Sequence, residues 1–437
     1  MTEQRNTLTP QSGLSALRAY LKEGSPLGPL KVMAEHIGRF FQIPLPMFHP
    51  YVVFGPEANR KVLVTERQKV LWRNTDPVTD VLRRGVLIVD GEEHDHYREL
   101  MEPSLHPGNL FNYAEMMLAQ TDRVTDVWRD NQVIDMLVEG RKIALLIIMN
   151  ALFSVDVWDD LPRIWSPILK AIEFISPGPW IFWRKIPRPG YKKSLRAIDD
   201  YLYKIISDRR RLLDDRQWTT DREIDHRPPS AVHRQNDLLQ HLIDAGLDDN
   251  RIRDQMLTML IAGHDTSTAL LAWTFALLGQ HPDIYSRLVQ EVSMVEKSSL
   301  LDQVIKESLR LYPPIHIGNR VVSEELNFDG NKIPSGERMF YSIYLTHRDP
   351  TLWENADQFC PERFSHGRKT PPFAYVPFSG GPRTCIGAAF GQMEARLVIA
   401  HLLQKFSFEP INADKIRAHM GATLEPRPGV FMKVTHR

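Results

Sequence analysis

Cys385 stands between glycines, two residues after Arg383 and directly ahead of an apolar helical run, in the stretch Phe378-Ser-Gly-Gly-Pro-Arg-Thr-Cys-Ile-Gly387. A thiolate is an electron-rich ligand for iron, and one bound to a haem pushes density onto the metal so that an O–O bond can break. A cysteine ionises readily where positive charge and a helix N-terminus stabilise the anion. Gly380, Gly381 and Gly387 open backbone conformations closed to other residues, so the loop can wrap tightly under a flat ligand. The spacing predicts Phe378 shielding the sulfur and Arg383 reaching a carboxylate of that ligand. An ordinary buried cysteine in a glycine-rich turn is the competing reading.

A second constellation, Ala262-Gly263-His264-Asp265-Thr266-Ser267, lies mid-way along an apolar run expected to be helical over residues 248–278. Glycine costs a helix interior about 1 kcal/mol relative to alanine, and Asp and Thr compete for backbone hydrogen bonds. These residues predict a local loosening of the helix where dioxygen would bind. Thr266 would offer a hydroxyl there, and Asp265 would link it to a proton supply, because an alcohol beside a carboxylate is a plausible relay. A polar patch on a half-exposed helix competes with this, and His264 has no assigned role. Glu307 and Arg310 fall on one helix face; an exposed pair at that spacing contributes only about 0.2–0.5 kcal/mol. His94 and Arg98, four apart, would be presented together by a helix, with a solvated face as the alternative.

The elements that must position these groups are mostly helical. The chain has 437 residues, enough for a large core. Residues 49–64 read as a strand, a Gly-Pro turn and a helix opened by Pro56 and Glu57. Apolar positions recur at helical spacing over 110–154 and 191–213, with a Pro-interrupted loop carrying Trp180 to Trp183 between Ser176 and Gly190. Residues 214–236 are charge-dense and read as a flexible surface loop. Strand-like segments appear near 318–345 and 429–436. One domain over 1–437 follows, mainly α with a smaller β-rich region, the segment 1–48 being the least defined.

Fifty-four Lys plus Arg balance 54 Asp plus Glu, so nothing in the charge points to nucleic acid. Two cysteines, Cys360 and Cys385, exclude a disulfide scaffold and suit a reducing compartment. Met1 to Leu30 is broken by Glu3, Arg5, Lys22 and Glu23 and holds no apolar run of about 20 residues that could span a bilayer.

The pattern Phe-x-x-Gly-x-Arg-x-Cys-x-Gly around Cys385 resembles the haem-binding signature of the cytochrome P450 family at every fixed position. The Ala262–Ser267 stretch resembles that family's oxygen-activation motif. Glu307-x-x-Arg310-Leu-Tyr-Pro-Pro and Pro361-Glu-Arg363-Phe resemble its helix end and downstream arginine segment. The resemblance implies a cytochrome P450 fold, with haem b (iron protoporphyrin IX) buried between a long central helix and the cysteine loop. Cys385 would be the metal ligand, and Phe378, Arg383 and Gly387 would complete its loop. His94, Arg98 and Arg320 would hold propionates. Asp265 and Thr266 would be catalytic, and Glu307, Arg310 and Arg363 would form a buried ionic lock.

The activity so implied is haem-thiolate monooxygenation: one oxygen atom of dioxygen enters a C–H or double bond. The alternatives are a peroxide-driven hydroxylase, which the Asp265–Thr266 pair argues against, and a non-catalytic haem sensor or carrier. The pocket would draw on parts of Val78 to Leu87, Leu260 to Thr266, Ile315 to Ile317 and Ala422 to Leu424, mainly aliphatic and therefore suited to an apolar substrate. Its polar members, Thr79, Asp80, Arg83, Arg84, His264, His316 and Thr423, are candidates to orient a hydroxyl or carboxylate. Electrons would come from a separate ferredoxin- or flavodoxin-type donor with its reductase, since the chain has no room for a fused one. A cytoplasmic, prokaryote-type monomer without a membrane anchor is expected.

Overall fold

The computed structural model describes residues 10–43, 48–72, 77–176, 188–220, 237–294, 298–367 and 369–437. Trp180 to Trp183 and residues 221–236 lie outside them.

A helix from Asp249 to Gln280 runs through the centre of the molecule. Most of its side chains are buried on all sides, which is why its sequence is nearly continuously apolar rather than striped. Against it pack Met136–Phe153, also buried almost throughout, and Ala388–Lys405, which follows the cysteine loop. The Asp248 carboxylate caps the central helix by accepting from the Arg251 N–H at 3.0 Å, satisfying one of its free first-turn donors.

The β-rich part is a five-stranded sheet in the order Phe40–Gln42, Tyr51–Val53, Arg338–Ser342, Ile317–Val322 and Val70–Leu71. All its pairings are antiparallel except that of Tyr51–Val53 with Arg338–Ser342. A three-stranded sheet pairs Phe431–His436 with Gln132–Asp135 and Phe406–Pro410. A hairpin of Arg417–Met420 and Leu424–Arg427 lies beside the central helix, tied to it by the Trp273 indole N–H donating to the Leu424 carbonyl at 2.7 Å.

Three expectations need correction. The helix beginning at Tyr191 continues to Thr220, so the charge-dense stretch starts as helix and not as loop. Strand Gln132–Asp135 interrupts the helical reading of 110–154. Its Val133 and Ile134 are too few to show a period, and the strand Phe431–His436 that pairs with it is far away in the sequence. Finally, the central helix is unbroken through Ala262–Ser267. Gly263 is there for packing: a Cβ on it would sit 2.7 Å from Ile148 Cδ1 on the neighbouring helix.

Candidate active site

The cysteine loop is shaped by backbone that only a few residues tolerate. Ser379 and Gly381 have φ of 64° and 62°, and a Cβ at Gly381 would come within 2.5 Å of the Leu63 carbonyl oxygen. The Cys385 N–H donates to the Phe378 carbonyl at 2.8 Å, which closes the loop. Gly387 then caps the helix Ala388–Lys405. Cys385 is exposed as a residue, while protein surrounds its thiol on most sides. Burial pushes its thiol above the usual range, while the Gly387 N–H and the charge of Arg98 pull the other way.

Beside this sulfur the chain gathers cations. Arg98 donates to the Thr384 carbonyl at 2.6 Å, so it is held against the loop itself. Arg383 donates to the Val89 carbonyl at 2.8 Å and to Asp90 at 2.5 Å. Arg320 lies over the Trp72 ring, 4.7 Å from its centroid. His94 is buried and bonded to Asp95 at 2.8 Å. Burial lowers the His94 pKa, and Arg383 and Arg98 lower it further. Burial likewise lowers that of Arg383, with Arg320 opposing its charge. Like charges converge in this way where an anion is expected between them. A cysteine on this closed loop with the cationic cluster beside it fits an iron porphyrin bearing two carboxylates.

Asp265 and Thr266 do not bond to one another. The Thr266 hydroxyl donates to the Ala262 carbonyl at 2.7 Å. Asp265 is buried and accepts from the Thr423 hydroxyl at 2.8 Å, while its other oxygen has no hydrogen-bond partner. The expected direct link between them is therefore absent, and Thr423, a candidate substrate contact from sequence, holds the acid instead. Burial and the nearby Glu425 carboxylate push the Asp265 pKa up to about 6, against the Thr423 hydrogen bond and Arg141 and Arg427. His264 is buried beside Arg141, and burial drives its pKa down to about 3, so it stays neutral.

Of the other polar candidates, the Thr79 hydroxyl is buried without a hydrogen-bond partner, while three are engaged. Arg83 pairs with Asp199 at 2.7 Å, Arg84 with Glu93 at 2.6 Å, and the His316 ring with the Pro314 carbonyl at 3.4 Å. Glu307 lies at the centre of a knot. It accepts from Arg310 at 2.7 and 2.8 Å, from Arg363 at 2.9 Å and from the Cys360 N–H at 2.9 Å. The Cys360 side chain is half-buried and 3.8 Å from Glu362.

One group escaped the sequence reading. Glu394 is buried on the helix behind Cys385 and accepts from the Ser267 hydroxyl at 2.6 Å, next to Thr266. Burial pushes its pKa up to about 8. Its signal was legible: Phe390, Glu394, Val398 and Leu402 share one helix face, and a lone carboxylate on an apolar face is rarely idle.

Comparison with known proteins agrees with this geometry. The family model described as Cytochrome P450 matches residues 19–433. Cyclooctatin synthase of Streptomyces melanosporofaciens is 28% identical, across 97% of this chain and 94% of its own. Pentalenene oxygenase of Streptomyces avermitilis is 28% identical, across 92% and 91%. The solved structure of a retinoic acid-bound cyanobacterial CYP120A1 superposes with a TM-score of 0.79 at 26% identity, covering 92% of this chain and 93% of that one.

Proposed function

The chain belongs to the cytochrome P450 family, and on that premise we propose that Cys385 ligates the iron of haem b and that Asp265 and Thr266 serve proton delivery. As a member of that family it is a haem monooxygenase, an oxidoreductase that uses dioxygen, an organic substrate and electrons from a redox partner. When bound, the haem supplies dioxygen binding, its reduction and the cleavage of the O–O bond.

The chain's own residues do the rest. His94, Arg98, Arg320 and Arg383 would neutralise the two propionates and so fix the ring's orientation. The closed loop from Phe378 to Gly387 would hold the sulfur in place, braced from behind by the Glu307–Arg310–Arg363 knot. Asp265, its pKa raised to about 6, would take up and pass on a proton, and Thr266 would present a hydroxyl next to it on the helix. The aliphatic residues of the upper cleft favour an apolar substrate. Two relatives named for pentalenene and cyclooctat-9-en-7-ol support a largely hydrocarbon one.

The proposal extends to one domain over 1–437, a monomer, a cytoplasmic location and a ferredoxin- or flavodoxin-type donor. Among the described residues no helix is long and apolar enough to cross a membrane.

The observation that carries the reading is the closed Cys385 loop with Arg98 held against it inside that cationic cluster. Its test is the absorption spectrum of the reduced protein under carbon monoxide, wild type against Cys385→Ala. A Soret band at the long wavelength diagnostic of thiolate ligation, lost in the variant, is expected. A haem-loaded, folded wild type without that band would remove Cys385 as the ligand.

A further inference from the structure

We propose that Glu425 is a positioning residue that opposes ionisation of Asp265, so that this buried acid can take up and release a proton beside Thr266. The inference rests on the reading of Asp265 as proton donor. Glu425 lies on the strand Leu424–Arg427, two residues beyond Thr423, which immediately precedes that strand. Thr423 donates to Asp265, and Trp273 of the same central helix donates to Leu424, so the register of strand against helix is fixed at two points.

The groups that face Asp265 come from several elements. From the strand come Glu425 and Arg427, and from the bend just before it Thr423; from the helix Met136–Phe153 comes Arg141; His264 is its neighbour on the central helix. His419, exposed, stands opposite Glu425 across the hairpin. Both arginines are committed to Glu425: Arg141 bonds one of its oxygens and Arg427 the other, the latter at 2.9 Å. Asp265 therefore receives one hydrogen bond, from a neutral hydroxyl, and faces a second carboxylate with almost no water. Under those conditions ionisation of Asp265 is disfavoured relative to an exposed carboxyl.

The arrangement predicts opposite effects from the two ends of one ion pair. Removing the Glu425 charge takes away repulsion and frees two cations to favour Asp265 as an anion. Removing Arg427, whose side chain is 52% exposed, takes away a cation and favours the acid.

The experiment is infrared difference spectroscopy of the haem-loaded full chain with carbon-labelled aspartate. The carboxyl band is assigned by its loss in Asp265→Asn and followed across pH. The wild-type band should disappear with a midpoint near 6. Glu425→Gln should lower that midpoint by about one unit or more, and Arg427→Ala should raise it. A midpoint unmoved in Glu425→Gln, or moved in the same direction by both variants, overturns the proposal. Should Glu425→Gln not fold, an unmoved or lowered midpoint in Arg427→Ala overturns it equally. The pH profile of product formation is recorded in parallel. If the band shifts as expected and the profile does not follow it, Asp265 is not the proton donor, while its coupling to Glu425 stands.

Discussion

Asp265 and Thr266 are adjacent on the central helix, yet their side chains bond in different directions: Thr266 donates back to Ala262 at 2.7 Å and Asp265 accepts from Thr423 at 2.8 Å. A hydroxyl whose own hydrogen is given to its helix has lone pairs left with which to accept. A proton travelling from Asp265 to Thr266 therefore needs a side-chain rotation or a bridging water. The helix stays regular through Ala262–Ser267, so both groups stand on one continuous element.

Thr266→Ala should leave the fold intact, since the lost bond is local and alanine is the better helix former. Product formed per reduced nicotinamide consumed, measured with a surrogate ferredoxin system, should fall about a hundredfold. Thr266→Ser should keep most of it. Unchanged coupling in the alanine variant would show that the hydroxyl carries no proton.

Glu307 and Arg310 are fully buried, and Arg363 is nearly so. Arg310 also donates to the carbonyls of His347 and Ala356, each at 2.7 Å, so the pair organises backbone on both sides of the approach to the cysteine loop. Glu307→Gln strands two guanidinium groups and should cost about 3–5 kcal/mol. A urea titration of the haem-loaded protein reads that cost. A loss under about 1 kcal/mol would mean the pair is dispensable to the fold.

What the sequence disclosed was local. The cysteine loop announces itself through its clustered glycines around one cysteine, the central helix because its apolar run has no polar face, and the Glu307–Arg310 pair because its spacing is short. What it concealed was long-range. No period in the chain tells Asp265 that Thr423 will arrive 158 positions later, or pairs Gln132–Asp135 with the C-terminal strand. Gly263 was legible as an anomaly, but its cause, Ile148 on another helix, was not.

Stability should depend on pH through buried groups of opposite sign. Burial drives His264, His316 and His347 down to about 3, 4 and 3. Each is neutral in the fold and takes up a proton on unfolding below about 6.5. Stability is therefore lost as pH falls through that range, by about 1.4 kcal/mol per unit per histidine. Asp265 and Glu394, raised to about 6 and 8, act the other way. Their contribution is present at low pH and is lost as pH rises from the ordinary carboxylate range through those values. Of these five groups, only Glu394 titrates between about pH 6.5 and 8. Urea midpoints should decline there in the wild type and not in Glu394→Gln. Parallel slopes would show that Glu394 holds no proton in the fold.

The contact between Gly263 and Ile148 gives two opposing terms that a double-mutant cycle can separate. Gly263→Ala gains about 1 kcal/mol of helix propensity. It also drives a methyl to within 2.7 Å of Ile148 Cδ1, and overpacking of this kind costs about 1–3 kcal/mol. The single variant should be destabilised on balance, because both helices are buried and neither can easily move apart. Ile148→Val deletes that Cδ1 and alone should cost about 0.5–1.5 kcal/mol. Combined, the two should be more stable than the sum of their separate effects, by about 1 kcal/mol or more. Strict additivity would mean that Gly263 answers to something other than Ile148, and the case for local flexibility at the oxygen site would reopen.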